Sequence, residues 1–596
     1  MHHPIRPALV LALVLPVALA VAHTSAPALG ERGVAIADAP VPHPAGTPCV
    51  TNLYTNLAFD DHGESTSREA KPRRWAYTPP AQCAGPWARV VLEADFSVDA
   101  GRQYDRTASL WLDGVNLYYG TTQEPSVKVA PHWHVERNVT DYASLFRTAG
   151  HGQVVLNNWV GGKRDSVIHG SARLLFYPAT GQSAAAPADL VIGLDGDSNG
   201  HSVDVQDQTQ ALSRTFTLPR NVERVALDLI AQSQAVDEQW FMCIDDADVT
   251  PTREFSLGPP NAGDPLEQCG GGNYREVAVS IDGQPAGRAP VYPWIYTGGI
   301  DPNLWRPTPG IQTLDFIPYR MDLTPFAALL DNGKPHTVAV RVLGAHDFFS
   351  LAANLLAWRD HGSEVLTGKL TQNTLATQQD TLQPQVQRHF DHGTGNTLHG
   401  EVDTLQHSNY VIAGELQTSH GKVVTRIEQR SNFANRQHFD HPSQDTYDQR
   451  IDQHTQVVDA IATTTGSDTV LRQHHLDYRL LIDIRKQIHA DSDFTADITV
   501  QQGYLSKRGR TENGHEIFWA TLDNKLISHS NTDFNAGGTA ITGSRGQHGQ
   551  QSYRFRDSLG SCYARRVETR DQAVITVASG QGCPNQVNRP DGHSQL

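Results

Sequence analysis

Short runs of alternating apolar and polar residues recur through the first 370 positions. They include 87–96 (WARVVLEADF), 108–113 (ASLWLD), 154–158, 172–177, 222–231, 276–282 and 337–343. Each is bounded by Gly, Pro, Asn or Asp, and helical periodicity is scarce. Period-two alternation with frequent turn residues predicts antiparallel β-sandwiches. The small-residue stretch 183–189 (SAAAPAD) reads as a linker, and a second boundary falls near 366–370. From 371 onward Gln, Thr, His, Asp and Ser replace most aliphatic residues, yet alternation persists at 423–429, 479–485 and 494–501. Long amphipathic strands with one solvated face are expected there, forming a packing or accessory module.

The opening residues depart from this pattern. Arg6 precedes an apolar run from 8 to 21, and Ala20-Val21-Ala22 offers a small-x-small cleavage site. Residues 1–22 therefore read as a signal peptide, with the chain secreted or periplasmic and free of the membrane after cleavage. An exported chain suits disulfides. Six cysteines allow many pairings; proximity favours Cys49–Cys83, Cys243–Cys269 and Cys562–Cys583. Neither CxxC nor HExxH spacing occurs, so no structural zinc is expected.

Composition narrows the function classes. At 596 residues the length suits roughly three or four domains. A hydrophobic fraction of 39% and 10 Trp suffice for packed cores. The formal charge of −16, without a basic block, argues against nucleic acid as a partner. Protonating all 28 His would turn −16 into +12, so the charge reverses in mildly acidic surroundings.

Eight ordered blocks carry a family resemblance: QYDRTASLWLDGVNLYYGTTQEPS (103–126), WHVERNVTDYASLF (133–146), VDEQWF (236–241), NYREVAVSIDGQ (273–284), WIYTGGIDPNLWRP (294–307), PYRMDLTPF (318–326), GKPHTVAVRVLGAHDFF (333–349) and LAANLLAWRDHGSEVLTGKL (351–370). Together they resemble the peptide-N-glycosidase A family, acid-active amidases that detach N-glycans from asparagine. The likeness runs over about 45–596 and is strongest in 100–370. The peptide-N-glycosidase F type is more distantly similar. The resemblance implies an all-β chain of two adjacent jelly-roll β-sandwiches, 45–182 and 190–366, followed by a β-rich domain at 371–596. It also implies an N-glycopeptide or glycoprotein substrate, an active site between the jelly rolls, no cofactor or metal, and a monomer.

The resemblance assigns candidates residue by residue. Asp105 of Tyr104-Asp105-Arg106 takes the catalytic aspartate's place, holding or deprotonating water. Arg106 beside it is expected to keep that carboxyl ionised in acid, although the two residues alone equally describe a rim ion pair. Glu238 is the nearest match to the F-type Glu-Trp pair, with Trp240 as a sugar-stacking ring or a core aromatic. Aligning on 275–282 puts Gly271 there instead. Glu124, in the Thr-x-Glu-Pro-Ser turn, either orients water or faces solvent. Asn157 or Asn158 stands where the F type has a third acid, and an amide can bond hydroxyls but not act as a base. Arg320 matches a cleft arginine, with an Arg320–Asp322 pair as the alternative. Arg306 and Asp301 are hallmark loop residues expected to shape the cleft floor, beside Gly298 and Gly299, which permit close backbone approach or positive φ. His346, Asp347 and His361 form a polar group without ligand spacing. Two other classes compete with the amidase: a non-catalytic glycan-binding protein, and a glycoside hydrolase with paired carboxylates.

Overall fold

The computed structural model describes residues 33–61, 71–179, 186–248, 269–378, 384–392, 397–443, 445–489, 491–536, 538 and 540–585. The expected leader at 1–22 lies outside the described residues, as do positions 183–185 of the expected linker.

The chain is all-β, with antiparallel pairing throughout its sheets. Eight strands build the first pair of sheets: β1 (Cys49–Phe59), β2 (Arg73–Tyr77), β3 (Trp87–Val98), β4 (Thr107–Leu112), β5 (Val115–Thr121), β6 (His132–Asn138), β7 (Gly150–Leu156) and β8 (Ile168–Pro178). Their order is β1-β8-β3-β6 in one sheet and β2-β7-β4-β5 in the other. Next come β9 (Leu190–Gly193), β10 (Val203–Val205), β11 (Leu212–Phe216), β12 (Val222–Ser233), β13 (Glu276–Ile281), β14 (Gln284–Pro290), β15 (Tyr319–Asp322), β16 (His336–Leu343) and β17 (Phe349–Arg359). These order as β10-β17-β12-β15, with β9 also on β17, and β11-β16-β13-β14. Adding nine to each strand number turns the first pattern into the second. Interleaving of two Greek keys gives this order.

The repetition extends to a turn. Strands β4 and β5 are joined by Asp113-Gly114 with φ of 47° and 80°, and β13 and β14 by Asp282-Gly283 with φ of 51° and 78°. Positive φ at both positions marks the hairpin turn whose twist suits the flanking strands.

The remaining chain forms an eleven-stranded sheet. Seven consecutive strands, from Leu398–Thr418 to Ile541–Asp557, are 17 to 23 residues long. At about 3.3 Å per residue they reach roughly 55–75 Å. The expected long strands with one solvated face are present, exposed and buried positions alternating along them, but the buried face is polar as well. Asn435, Gln437, Gln502, Asn524, Ser530, Thr532, Gln547 and Gln551 are buried. Asn435 Nδ2 donates to Phe241 O (2.8 Å), Gln437 Nε2 to Cys243 O (3.0 Å), and Gln502 Oε1 accepts from Ile311 N–H (3.0 Å). Loop backbone cannot be buried without such partners. The polar composition therefore matches an interface made largely of loops.

One hydrophobic core fills the first sandwich around Phe59, Leu110, Phe146 and Phe176. A larger one runs from the second sandwich into the long sheet through Trp305, Phe349, Phe433, Ile451 and Ile482. The cysteines pair as Cys49–Cys83, Cys243–Cys269 and Cys562–Cys583. An extended arm at 33–41 lies against the long sheet: Ala35 and Ala37 pack on Val567, and Ala37 N–H donates to Gln551 Oε1 at 2.7 Å.

Candidate active site

The hairpin β4–β5 brings two carboxylates together at its open end. Thr107 pairs with Thr121, and Thr122 N–H donates to Arg106 O at 2.9 Å. Asp105 stands just before the first strand and Glu124 just after the second. Asp105 N–H donates to Glu124 Oε1 at 3.3 Å. A loop of the second unit closes over them. Gly298 N–H donates to Asp105 Oδ2 at 3.0 Å. Arg306 Nη2 reaches Glu124 Oε2 at 3.2 Å and Pro125 O at 2.8 Å. Thr297 Oγ1 accepts from Glu124 N–H (3.0 Å) and donates to Thr122 O (2.8 Å). A Cβ at position 298 would lie 2.5 Å from Glu124 Oε1 and 3.2 Å from Asp105 Oδ1. The glycine there is required by close approach, since its φ lies outside the left-handed region.

Glu124 is buried, 6% exposed, whereas Asp105 is half-buried. Burial and the adjacent Asp105 push the Glu124 carboxyl up to about 8, against the pull of Arg306. Burial also raises Asp105, opposed by Gly298 N–H and Arg106. The two titrate as a pair. Glu124 is the better seat for a proton. Asp105, more open and next to a peptide N–H and a guanidinium, is the better seat for the charge.

Arg106 thus does not bring the Asp105 carboxyl below its ordinary range, as expected from sequence; desolvation outweighs it. Its Nη2 donates instead to Gln103 Oε1 at 2.9 Å. Its Nε–H is buried without a hydrogen-bond partner among the described residues. The guanidinium carbons of Arg102 and Arg106 stand 5.9 and 5.8 Å from the Tyr104 ring centre. Tyr104 itself is 45% exposed, giving the approach to Asp105 an open aromatic face.

The other candidates divide. The reading of Glu124 as solvent-facing is overturned by its burial under the 297–306 loop. Glu238 is half-buried and follows a short 3-10 turn, Ala235–Asp237. Its charge raises the Tyr296 hydroxyl further, which puts it on the side of the same loop. Its neighbour Asp237, missed from sequence, fixes that turn. Asp237 Oδ2 accepts the backbone N–H groups of His346, Asp347 and Phe348 at 2.8–3.0 Å, and Oδ1 accepts from Arg275. Asn157 directly follows Leu156, the last residue of β7, which pairs with Ala108 of β4.

Four assignments fail. Trp240 is 1% exposed and packs near Phe241 and Phe433, so it is a core ring and not a stacking surface. Asn158 is fully buried, its Nδ2 donating to Phe59 O (2.7 Å) and Ser166 O (3.2 Å). Arg320 lies in neither expected arrangement: it grips Asp228 with two 2.7 Å bonds and also pairs with Asp141. Asp322 bonds Thr324 N–H and Arg472. Asp301 is fully buried and accepts from Asn303 N–H, Ser530 and Thr532, so it ties a loop instead of lining a cleft. The polar group proposed around His346 separates too, His346 pairing with Asp246 and His361 with Asp189.

Cavities of about 170 and 610 Å³ adjoin the long sheet, and neither is lined by Asp105 or Glu124. Among the described residues, two groups bring possible metal-ligand atoms within 4.8 Å: His43, Glu93 and Glu136, and Glu223, Asp360 and His420. Both lie apart from the carboxylate pair. Among the described residues no helix is long and apolar enough to cross a membrane.

A family model described as peptide N-acetyl-beta-D-glucosaminyl asparaginase amidase A matches residues 44–375. The chain is 28% identical over 376 residues to a peptide-N4-(N-acetyl-beta-glucosaminyl)asparagine amidase A of Prunus dulcis. That alignment covers 60% of this chain and 62% of the relative, so the chain spans less than two thirds of the relative's length. Among solved structures it is similar to PNGase F, a glycosylasparaginase from Flavobacterium meningosepticum, at 12% identity and a TM-score of 0.32, over 53% of this chain and 96% of that one. It is also similar to PNGF-II at 11% identity and 0.33, over 52% and 66%.

Proposed function

Because the chain belongs to the peptide N-acetyl-beta-D-glucosaminyl asparaginase amidase A family, we propose that it hydrolyses the amide joining an N-glycan to asparagine in glycopeptides or glycoproteins. The observation that carries this reading is the carboxylate pair itself. It lies inside the family-matched region, is half-open to solvent on the Asp105 side, and is closed behind by Gly298 and Arg306.

Asp105 accepts a proton from water as the water oxygen bonds the amide carbonyl carbon. The carbonyl oxygen takes up negative charge, which the positive charge of Arg106, adjacent to Asp105, offsets through space. The C–N bond then breaks as Asp105 passes the proton taken from water to the departing glycosylamine nitrogen, which restores its carboxylate. The products are an aspartyl peptide and an intact 1-amino glycan, which later loses ammonia. Glu124 stays protonated through the acid range and prevents a second charge from forming beside Asp105. Tyr104 offers its exposed ring to the first sugar. The three disulfides support action outside the cytoplasm.

Mass spectrometry of a treated glycopeptide tests the reaction. Loss of the whole glycan with Asn converted to Asp is expected. A peptide retaining one GlcNAc would identify a glycosidase, and unchanged substrate that stays bound would identify a lectin. Asp105→Ala is expected to retain the wild-type circular dichroism spectrum and lose at least about 10²-fold in kcat; undiminished turnover would reject Asp105 as the base.

A further inference from the structure

The loop that closes the carboxylate pair is held from behind by residues more than 220 positions further along the chain. Asp301 Oδ2 accepts hydrogen bonds from Ser530 Oγ at 2.7 Å and Thr532 Oγ1 at 2.6 Å. Its Oδ1 accepts Asn303 N–H at 2.9 Å, and Asn303 Nδ2 donates to Thr532 Oγ1 at 3.0 Å. Gln547 Nε2 donates to two backbone carbonyls, those of Asn303 and Arg306. Asp301, Ser530 and Thr532 are fully buried, and Gln547 is 4% exposed. The N-terminal arm adds Ala35 N–H to Pro307 O at 2.7 Å. These ties fall at 301 and 303, between Gly298 and Arg306, and at 306 and 307, on and just after Arg306.

We propose that the long C-terminal sheet, beyond the reach of the family match, belongs to the catalytic apparatus, with Ser530, Thr532 and Gln547 as positioning residues that present Gly298 to Asp105 and Arg306 to Glu124. This deepens the amidase reading above and rests on it. The loop is braced internally, Trp305 Nε1 donating to Gly299 O at 2.8 Å and Leu304 N–H to Asp301 O at 3.0 Å, but catalytic geometry must hold to about 0.5 Å, and the bonds to the sheet set where the braced loop sits. Gln547 fixes the backbone at Arg306, and the Arg306 side chain spans from there to Glu124. The charged groups facing Glu124 are Asp105 and Arg106 from the hairpin and Arg306 from the loop; Asp301 acts on Arg306, and Arg164 and Tyr104 on Arg106.

Arg306 opposes protonation of Glu124. Loosening Arg306 must therefore raise the proton affinity of Glu124 further. Gln547→Leu, and separately Ser530→Ala with Thr532→Val, are expected to lower kcat about tenfold and move the alkaline limb of the pH–rate profile up by about one unit, with KM little changed. Thr532→Ser keeps the donor and should match wild type. Thr464→Val, which removes a hydroxyl contact to Thr469 elsewhere on the sheet, should also match wild type. The same displacement is readable without substrate, as the titration midpoint of the Glu124 carboxyl band in infrared difference spectra of ¹³C-Glu-labelled protein, assigned by its loss in Glu124→Gln. If wild type releases no glycan, the amidase reading falls while the infrared midpoint still decides the positioning role. Variants with lowered Tm but an unmoved infrared midpoint, and an unmoved pH limb in an active enzyme, would reduce the sheet to a stabilising element and overturn the proposal.

Discussion

Glu124 keeps its proton to about pH 8 because its carboxyl is buried against a second acid, and this makes it an internal reporter of the site. An unfolded chain ionises the same group near its ordinary value of 4.5. The folded form therefore binds the extra proton, and Glu124's contribution to stability is complete below pH 4.5 and lost as pH rises toward 8. Its slope is about 1.4 kcal/mol per pH unit for a single group. Glu124→Gln should flatten that slope in urea titrations at a series of pH values; an unchanged slope would mean the proton sits elsewhere. Gly298→Ala places a methyl where Glu124 Oε1 already is. It should cost about 1–3 kcal/mol and reduce turnover more than Gly299→Ala, whose Cβ meets its nearest atom at 3.3 Å; equal effects on turnover would count against the contact. The family-like blocks were enough to single out Asp105, Glu124, Arg306 and the close approach at Gly298. They did not reveal that Glu124 is buried, because the covering loop comes from more than 170 residues away. Nor did they separate Trp240, Arg320 and Asp301 from the site, since a packed ring, a bidentate ion pair and a loop tie use the same residue types as a sugar cleft.

Alternation along the chain marked β3, β4, β7, β8, β12, β13 and β16, but not strands such as β5 and β17, which are buried on both faces and carry no period-two signal. The Asp-Gly pairs at 113–114 and 282–283 close corresponding strands of the two units. The long sheet was legible as strands but not as a partner. Its buried face is written in Gln, Asn, Ser and Thr, which hydropathy scores as surface. It also carries its own acid limit. His441 is fully buried beside Tyr447, with both ring nitrogens unpartnered among the described residues, and burial pushes it down to about 4. The unfolded chain takes up that proton near 6.5. The stability from keeping His441 neutral is present above pH 6.5 and lost as pH falls toward 4. His441→Leu should raise Tm at pH 4.5 relative to wild type, with a smaller change at pH 7.5; equal shifts at both values would assign the effect to packing alone.

Across the whole molecule, the second sandwich and the long sheet share one hydrophobic core. A chain ending at residue 375, where the family match stops, would expose that core and leave Asp301 without Ser530 and Thr532. It is expected to aggregate or to lack near-ultraviolet circular dichroism. A soluble, fully active truncation would show that the sandwiches are self-sufficient. The arm at 33–41 has a different consequence. Ala37 bonds Gln551, 514 positions away, and its neighbours rest on Val567. In a chain made from one end, Val34 and Ile36 can pack on the first sandwich and Val41 N–H can reach Glu136 early, but Ala35 and Ala37 meet Val567 and Gln551 only when almost the last strand exists. Contacts so distant in sequence slow folding, so the clasp onto the long sheet closes late, after the rest of the arm already has a partner.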